Sequence, residues 1–177
     1  VGEIDKEDFK LQNINLMFGV VNNVEYCSTM FNFPTLADLK DKIKNLADTY
    51  FNEMVAIRRH LHAHPELSYE EVETSKFIAK KLTEFGIEHQ TNIGGHGVVG
   101  LIKGKNASSK IIALRGDMDA LPIEEKNTTE YVSQNKGVMH ACGHDVHTTS
   151  LMGAAKILNE LKEEFEGTIK LIFQPAE

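Results

Sequence analysis

An apolar run of strand length constrains the fold of this chain more than any other feature. Residues Ile111 to Leu114 are continuously apolar, which is typical of a central β-strand buried on both faces. A second predicted strand covers Thr168 to Phe173, and a helical pattern lies between the two. Because strands that alternate with helices indicate an α/β domain, we predict a layered mixed sheet flanked by helices.

Apolar residues at three- and four-residue spacing predict a long first helix. Thr35, which follows a proline, is its expected N-cap. The helix should end near His64, because Pro65 disfavours helical conformation in the residue before it. Residues 1–34 show no comparable pattern, and we treat them as an unassigned N-terminal extension.

Two further helices are predicted, with a hairpin between them. The segment Ser68 to Glu71 has the pattern of a capping box, so its serine should cap the second helix. The glycine-rich segment Gly94–Gly97 is predicted to turn a β-hairpin. The third helix should begin after His144, carry Phe165 on its buried face and end at Gly167.

Composition argues against several functions. The net charge of −7 over 177 residues disfavours nucleic-acid binding through a basic surface. No apolar run reaches the roughly 18 residues that a membrane span needs. The two cysteines lie in very different settings and do not suggest a disulfide framework. We therefore predict a cytoplasmic protein with neither nucleic-acid nor membrane partners.

The segment from His140 to His147 is the densest in groups that bind metal or move protons. Cys142 and His144 flank one glycine just before a helix, and the glycine allows both side chains to reach one centre. Thiolate and imidazole together suit zinc, nickel or cobalt. His140, Asp145 and His147 are expected to support these ligands. On spacing alone, a Cys142–His144 nucleophile pair and a buried structural cysteine stay open.

Carboxylates follow both predicted strands. Asp117 and Asp119 come directly after the apolar run, and Glu177 follows the later strand. Open α/β sheets bind their ligands at the carboxyl ends of strands, so these groups are candidates to complete a metal site. For the aspartates alone, solvated or helix-capping residues of a loop are the commoner explanation.

Three histidines, His60, His62 and His64, stand near the end of the first predicted helix. Residues two apart on a helix do not face the same way, so His60 and His62 are poor joint ligands. We interpret the three rings as polar groups that complement the carbonyl end of the helix dipole.

Five motifs, in this order, resemble the M20 metallopeptidase superfamily, specifically its amidohydrolase branch of N-acyl-amino-acid deacylases, hippurate hydrolases and indole-acetyl-amino-acid hydrolases. The resemblance covers about residues 46 to 177. The motifs are Arg59–Ser68, Gly94–Gly97, Asp117–Pro122, His140–Thr148 and Gln174–Glu177.

The resemblance implies a zinc-exopeptidase-like catalytic domain that holds two divalent ions, which could be zinc, nickel, cobalt or manganese. Cys142 and His144 match metal ligands of the family, with the cysteine bridging the ions. Glu177 matches the general base that takes a proton from the metal-bound water. Asp119 matches a supporting aspartate near the metals. The implied reaction is hydrolysis of the amide bond of a small-molecule N-acyl amino acid.

The resemblance also implies that the domain is incomplete. Residues 35–177 would be its N-terminal part, without the lid or dimerisation domain through which a homodimer would form. We expect the 177-residue chain to be inactive alone and to bind metal weakly. The alternatives are a hydrolase that uses Cys142 as nucleophile and a non-catalytic module that keeps the fold.

Overall fold

A computed structural model of the protein describes residues 36–177. The N-terminal extension and the expected cap at Thr35 lie outside these residues. The helices and strands of the described part are α1 (Leu36–Ala63), α2 (Val72–Glu84), β1 (Glu88–Ile93), β2 (Gly97–Lys103), β3 (Ile111–Asp117), α3 (His144–Glu160), a 3₁₀ turn (Lys162–Glu164) and β4 (Thr168–Gln174).

The described strands form one mixed sheet in the order β1-β2-β4-β3. β1 and β2 are the expected hairpin, β2 pairs antiparallel with β4, and β4 pairs parallel with β3. In the parallel pair Asp117 lies opposite Gln174. The segments that follow β3 and β4 therefore leave the sheet at the same edge, as carboxyl ends of parallel strands do.

The predicted fold class is confirmed, but the predicted place of β3 in the sheet is wrong for the described residues. β3 is an edge strand of this sheet, and Ile111 is 65% exposed. The strands with two neighbours are β2 and β4, and Ile169, Leu171 and Phe173 of β4 are fully buried. A continuous apolar run gives the length of a strand but not its neighbours, which tertiary pairing decides.

Helices cover the sheet in two places. α3 packs chiefly on β3, α1 packs on α3, and α2 packs on β1 and β2. Their apolar faces form one core with the sheet, built around Met54, Ile57, Ile78, Leu82, Leu151 and Met152. No helix among residues 36–177 has an apolar stretch long enough to cross a bilayer.

The third helix ends earlier than predicted. α3 stops at Glu160, and Phe165 has extended backbone rather than a place on the helix. The polar segment after Leu161 forms a 3₁₀ turn. Gly167, with a positive φ of 94°, therefore does not end the helix but directly precedes β4. The apolar residues keep helical spacing up to Phe165 although the helix itself ends at Glu160, so their spacing predicted too long a helix.

The predicted capping box is also wrong. Ser68 donates a hydrogen bond to Asp119 Oδ2 at 2.6 Å and does not cap α2. Instead, the two carboxylate oxygens of Glu66 accept from the N–H groups of Glu73 and Thr74, at 3.1 and 2.8 Å. A carboxylate placed against the first amides of a helix satisfies donors that the helix cannot.

Candidate metal centre and active site

Three segments converge at the carboxyl edge of β3 and β4. The ladder continues past the strands, because Met118 N–H donates to Gln174 C=O at 3.0 Å. The N-terminus of α3 closes on the same edge at Gly116, where a Cβ would lie only 2.9 Å from the carbonyl oxygen of His147. The absence of a side chain at Gly116 thus permits α3 to approach β3.

The loop before α3 presents the predicted metal ligands. Gly143 has φ 85° and ψ 20°, a left-handed conformation that favours glycine, and α3 begins at the next residue. His144 is buried in the first turn of α3, whereas Cys142 is a free, exposed thiol. The two predicted ligands therefore differ in accessibility although one glycine separates them.

His144 has the orientation of a metal-ligating histidine. Its Nδ1 lies 2.9 Å from the backbone oxygen of Asp119 and 3.0 Å from the Oδ1 atom of the same residue. Both partners are acceptors, so Nδ1 carries the hydrogen. In a neutral ring the lone pair is then on Nε2, which is the arrangement that a neighbouring carboxylate commonly gives a metal-bound imidazole.

The surroundings of that nitrogen fit a cation. Nε2 of His144 lies 3.2 Å from Oε2 of Glu177, whose side chain is 49% exposed. A lone pair facing a carboxylate oxygen is repulsive unless a proton or a metal ion lies with them. Arg115 Nη2 lies 3.2 Å from the other oxygen of Glu177 and holds that carboxylate in place. The sequence therefore predicted two groups, His144 and Glu177, that the structure brings together.

Asp119 is buried and ionised. Burial alone would raise its pKa, but hydrogen bonds from Ser68 and from the backbone of Asp119 and Glu177 lower it below the ordinary value of 3.8. Asp119 thus remains a carboxylate that accepts from His144. Asp119 thus contacts the candidate ligand His144 from the buried side.

A further group of possible ligands lies beside His144. One donor atom from each of Asp117, His144 and His147 lies within 4.8 Å of the others. Asp117 is buried and is held by Arg115 Nε at 2.8 Å and His147 Nδ1 at 3.2 Å. Cys142 is not a member of this group. Oxygen and nitrogen donors of this kind suit zinc, cobalt, nickel or manganese.

Sequence reasoning missed a buried charge network behind the loop. His62 lies in the last turn of α1, as predicted, but it is only 1% exposed and has buried charged partners that the helix-dipole interpretation did not include. Its Nδ1 donates to Asp145 Oδ2 at 2.7 Å, and its Nε2 lies 3.0 Å from Glu125 Oε1. Arg58 Nε lies 2.9 Å from the same oxygen of Asp145. Arg58 and His62 are four residues apart on a helix, a spacing that indicates a shared face.

This network gives His62 an unusual titration. The hydrogen bond from His62 to Asp145 raises the His62 pKa above 6.5 against the opposing effect of burial, and Glu125 raises it further. A raised folded-state pKa means that the stabilisation is fully present below pH 6.5 and is lost as pH rises through the folded value.

In a histidine NMR titration we therefore expect the His62 ring to titrate above 6.5 and the Glu125→Gln variant to titrate lower. His60, whose pKa is lowered by burial and by the charges of His64 and Lys81, provides an internal reference within the same helix. A His62 midpoint at or below that of His60 would contradict the expectation.

His140 is the other buried histidine near the loop. It is 2% exposed, and neither ring nitrogen has a hydrogen-bond partner within the described residues. Burial lowers its pKa to about 4, so its ring is neutral at pH 7. Its ring centroid lies 6.5 Å from that of His62, which places it against the buried network.

Comparison with known proteins agrees with the predicted family. The model of peptidase family M20/M25/M40 matches residues 113–177. An N-acyl-L-amino acid amidohydrolase of Geobacillus stearothermophilus is 46% identical over 138 residues, which are 78% of this chain and 37% of that protein. The IAA-amino acid hydrolase ILR1-like 5 of Arabidopsis thaliana is 48% identical over 146 residues, 82% of this chain and 31% of the relative.

The fold is also shared. The crystal structure of the Bacillus subtilis YXEP protein, described as a dinuclear metal binding peptidase from the M20 family, superposes with a TM-score of 0.70 at 45% identity. The match covers 73% of this chain and 36% of that one. The chain spans about a third of the length of the curated relatives it matches. In sequence and fold, the chain matches members of the M20 peptidase family, amidohydrolases among them.

Proposed function

We propose that the complete protein carrying this chain is a metal-dependent amidohydrolase that cleaves the amide bond of N-acyl amino acids. The observation that carries the proposal is the orientation of His144, whose Nδ1 is taken by Asp119 while Nε2 faces Glu177 at 3.2 Å. The substrate class is supported by the printed name of the Geobacillus stearothermophilus relative.

Cys142 and His144 are the residues that we propose to hold two divalent ions. The thiol is accessible, and the imidazole offers the unprotonated nitrogen that coordination needs. Asp117 and His147 each have a donor atom within 4.8 Å of one on His144 and are further candidate ligands. When bound, the ions would lower the pKa of coordinated water and polarise the substrate carbonyl.

The protein's own groups then move the proton and hold the geometry. Glu177, half-exposed at the mouth of the site, takes a proton from the attacking water and returns it to the departing amine. Asp119 holds the His144 ring in one tautomer and orientation. Arg115 restrains the Glu177 carboxylate through its guanidinium group.

A cysteine nucleophile is less well supported. A Cys–His pair needs an imidazole within hydrogen-bond reach of the thiol. The Nδ1 atoms of His144 and His147 are engaged by Asp119 and Asp117, and the Nε2 atom of His144, the nitrogen left to act as a base, faces Glu177 at 3.2 Å. A non-catalytic module would not require a carboxylate aimed at a free imidazole nitrogen, which is what the Glu177–His144 pair provides.

We also propose that residues 35–177 form the N-terminal part of the catalytic domain, that a homodimer forms through a lid domain, and that the protein is cytoplasmic. The first two rest on the family resemblance. The third rests on the two cysteines in different settings.

The test is hydrolysis of N-acetyl amino acids by the complete protein before and after chelation. We expect chelator to lower the rate at least a hundredfold and added zinc, cobalt, nickel or manganese to restore it. Metal-loaded protein should resist iodoacetamide at Cys142, whereas chelated and alkylated protein should not recover. The 177-residue chain alone should show no turnover. Full activity in chelator would contradict the proposal.

A further inference from the structure

Glu71 is a buried residue whose carboxylate has one hydrogen-bond partner within residues 36–177, the backbone of Ala176 next to Glu177. It is 0% exposed, and its Oε1 accepts a hydrogen bond from the backbone N–H of Ala176 at 2.8 Å. Its Oε2 is also buried and has no partner within residues 36–177. A buried, partly unsatisfied carboxylate is costly to a fold, which suggests that it serves the residue it contacts.

The local structure leaves Glu71 free for this contact. Glu71 precedes the first residue of α2, but its side chain does not cap the helix. The carboxylate of Glu66 accepts from the first amides of α2 instead. The Glu71 side chain therefore turns inward, toward the segment that follows β4.

That segment has a backbone conformation that needs support. Pro175 has no N–H to continue the ladder, and Ala176 has φ 50°, a left-handed conformation that is unfavourable for residues with a Cβ. The carboxylate of Glu71 accepts a hydrogen bond from the N–H of Ala176. The backbone of the next residue, Glu177, hydrogen-bonds to Asp119 and lowers the pKa of that carboxylate. The buried carboxylates of Glu71 and Asp119 thus accept hydrogen bonds from the backbone of two successive residues, Ala176 and Glu177.

We infer that Glu71 is a positioning residue, which holds Ala176 in its left-handed conformation and so aims the Glu177 carboxylate at His144. The inference rests on the proposed function of Glu177 as general base. Glu71 acts through the backbone of Ala176, whose N–H donates a hydrogen bond to its carboxylate.

The test is steady-state kinetics of the complete, metal-loaded protein with an N-acetyl amino acid. We expect Glu71→Ala to lower kcat ten- to a hundredfold while KM and bound metal stay near wild type, because the base is misplaced and the ligands are not. Glu71→Gln keeps an acceptor oxygen and should recover most of that loss. Glu73→Gln, two residues away and exposed, is the matched control. A wild-type kcat in Glu71→Ala would overturn the inference.

A second pair of variants leaves Glu71 intact, in case Glu71→Ala does not fold. At Ala176, valine opposes a positive φ and glycine accepts it. We expect Ala176→Val to have a kcat at least tenfold below that of Ala176→Gly. Equal kcat values for the two variants would overturn the inference.

Hydrogen exchange separates this inference from the proposed function. The Ala176 amide should exchange at least tenfold faster in Glu71→Ala than in wild type, whatever reaction the protein catalyses. Faster exchange together with an active Glu177→Gln variant would mean that the proposed function is wrong and the contact is real. An inactive Glu177→Gln variant together with unchanged exchange would mean that the Glu71 inference is wrong.

Discussion

Replacing Glu177 with glutamine is expected to lower kcat for N-acyl amino acid hydrolysis by about a thousandfold. Glutamine keeps the size of the side chain and can still accept a hydrogen bond from Arg115, but it cannot take a proton from water. Because Cys142 and His144 are unchanged, the amount of bound metal should stay the same. The variant thus separates proton transfer from metal binding.

The measurement is kcat and KM with metal content determined on the same preparation. Glu88→Gln is the matched control, since Glu88 is an exposed glutamate of β1 that pairs with Lys103 away from the site. We expect it to keep the wild-type kcat. If Glu177→Gln retains more than a tenth of the wild-type kcat with full metal content, another group is the base.

The sequence was a good guide where local pattern decides the structure. Spacing of apolar residues located α1 to within two residues of its end, because Pro65 stops a helix whatever surrounds it. The hairpin at Gly94–Gly97 and the strand β4 followed from turn chemistry and strand length. Asp117 and Asp119 were placed correctly at the end of β3, since a strand fixes where its own last residues lie.

Partners distant in sequence could not be read in the same way. Whether Ser68 caps a helix or binds Asp119 depends on a contact across 51 residues. The burial of His62 depends on Asp145, 83 residues later, and on Glu125 in the irregular segment between. The Glu71–Ala176 contact spans 105 residues. Capping and charge patterns describe residues that are close in sequence, so they could not predict these long-range contacts.

Replacing Asp145 with alanine should cost the fold about 3–5 kcal/mol. Asp145 is 0% exposed and lies 2.9 Å from Nε of Arg58 and 2.7 Å from Nδ1 of His62, both also buried. Alanine would leave the Arg58 guanidinium in the interior without its counter-charge. It would also remove the acidic residue from the first turn of α3, where a negative charge is favourable.

The pH dependence of this loss follows from the direction of the Asp145 pKa. Burial alone would raise that pKa, but the hydrogen bond from His62 and the charge of Arg58 lower it below 3.8. A lowered folded-state pKa means that the stabilisation is present above pH 3.8 and disappears as pH falls through the folded value. The difference between wild type and Asp145→Ala should therefore be large at pH 7 and shrink in acid.

Urea unfolding of wild type and variant, at pH 7 and in steps toward pH 3, measures both effects. Glu88→Ala removes one partner of the exposed Glu88–Lys103 pair, whose side chains are 63% and 56% exposed, and should cost less than about 1 kcal/mol. An Asp145→Ala loss no larger than this control would mean that Arg58 and His62 reach water in the native state. Asp145 immediately follows His144. That outcome would therefore also mean that the buried pairs of Asp145 do not stabilise the segment that presents the candidate metal ligands.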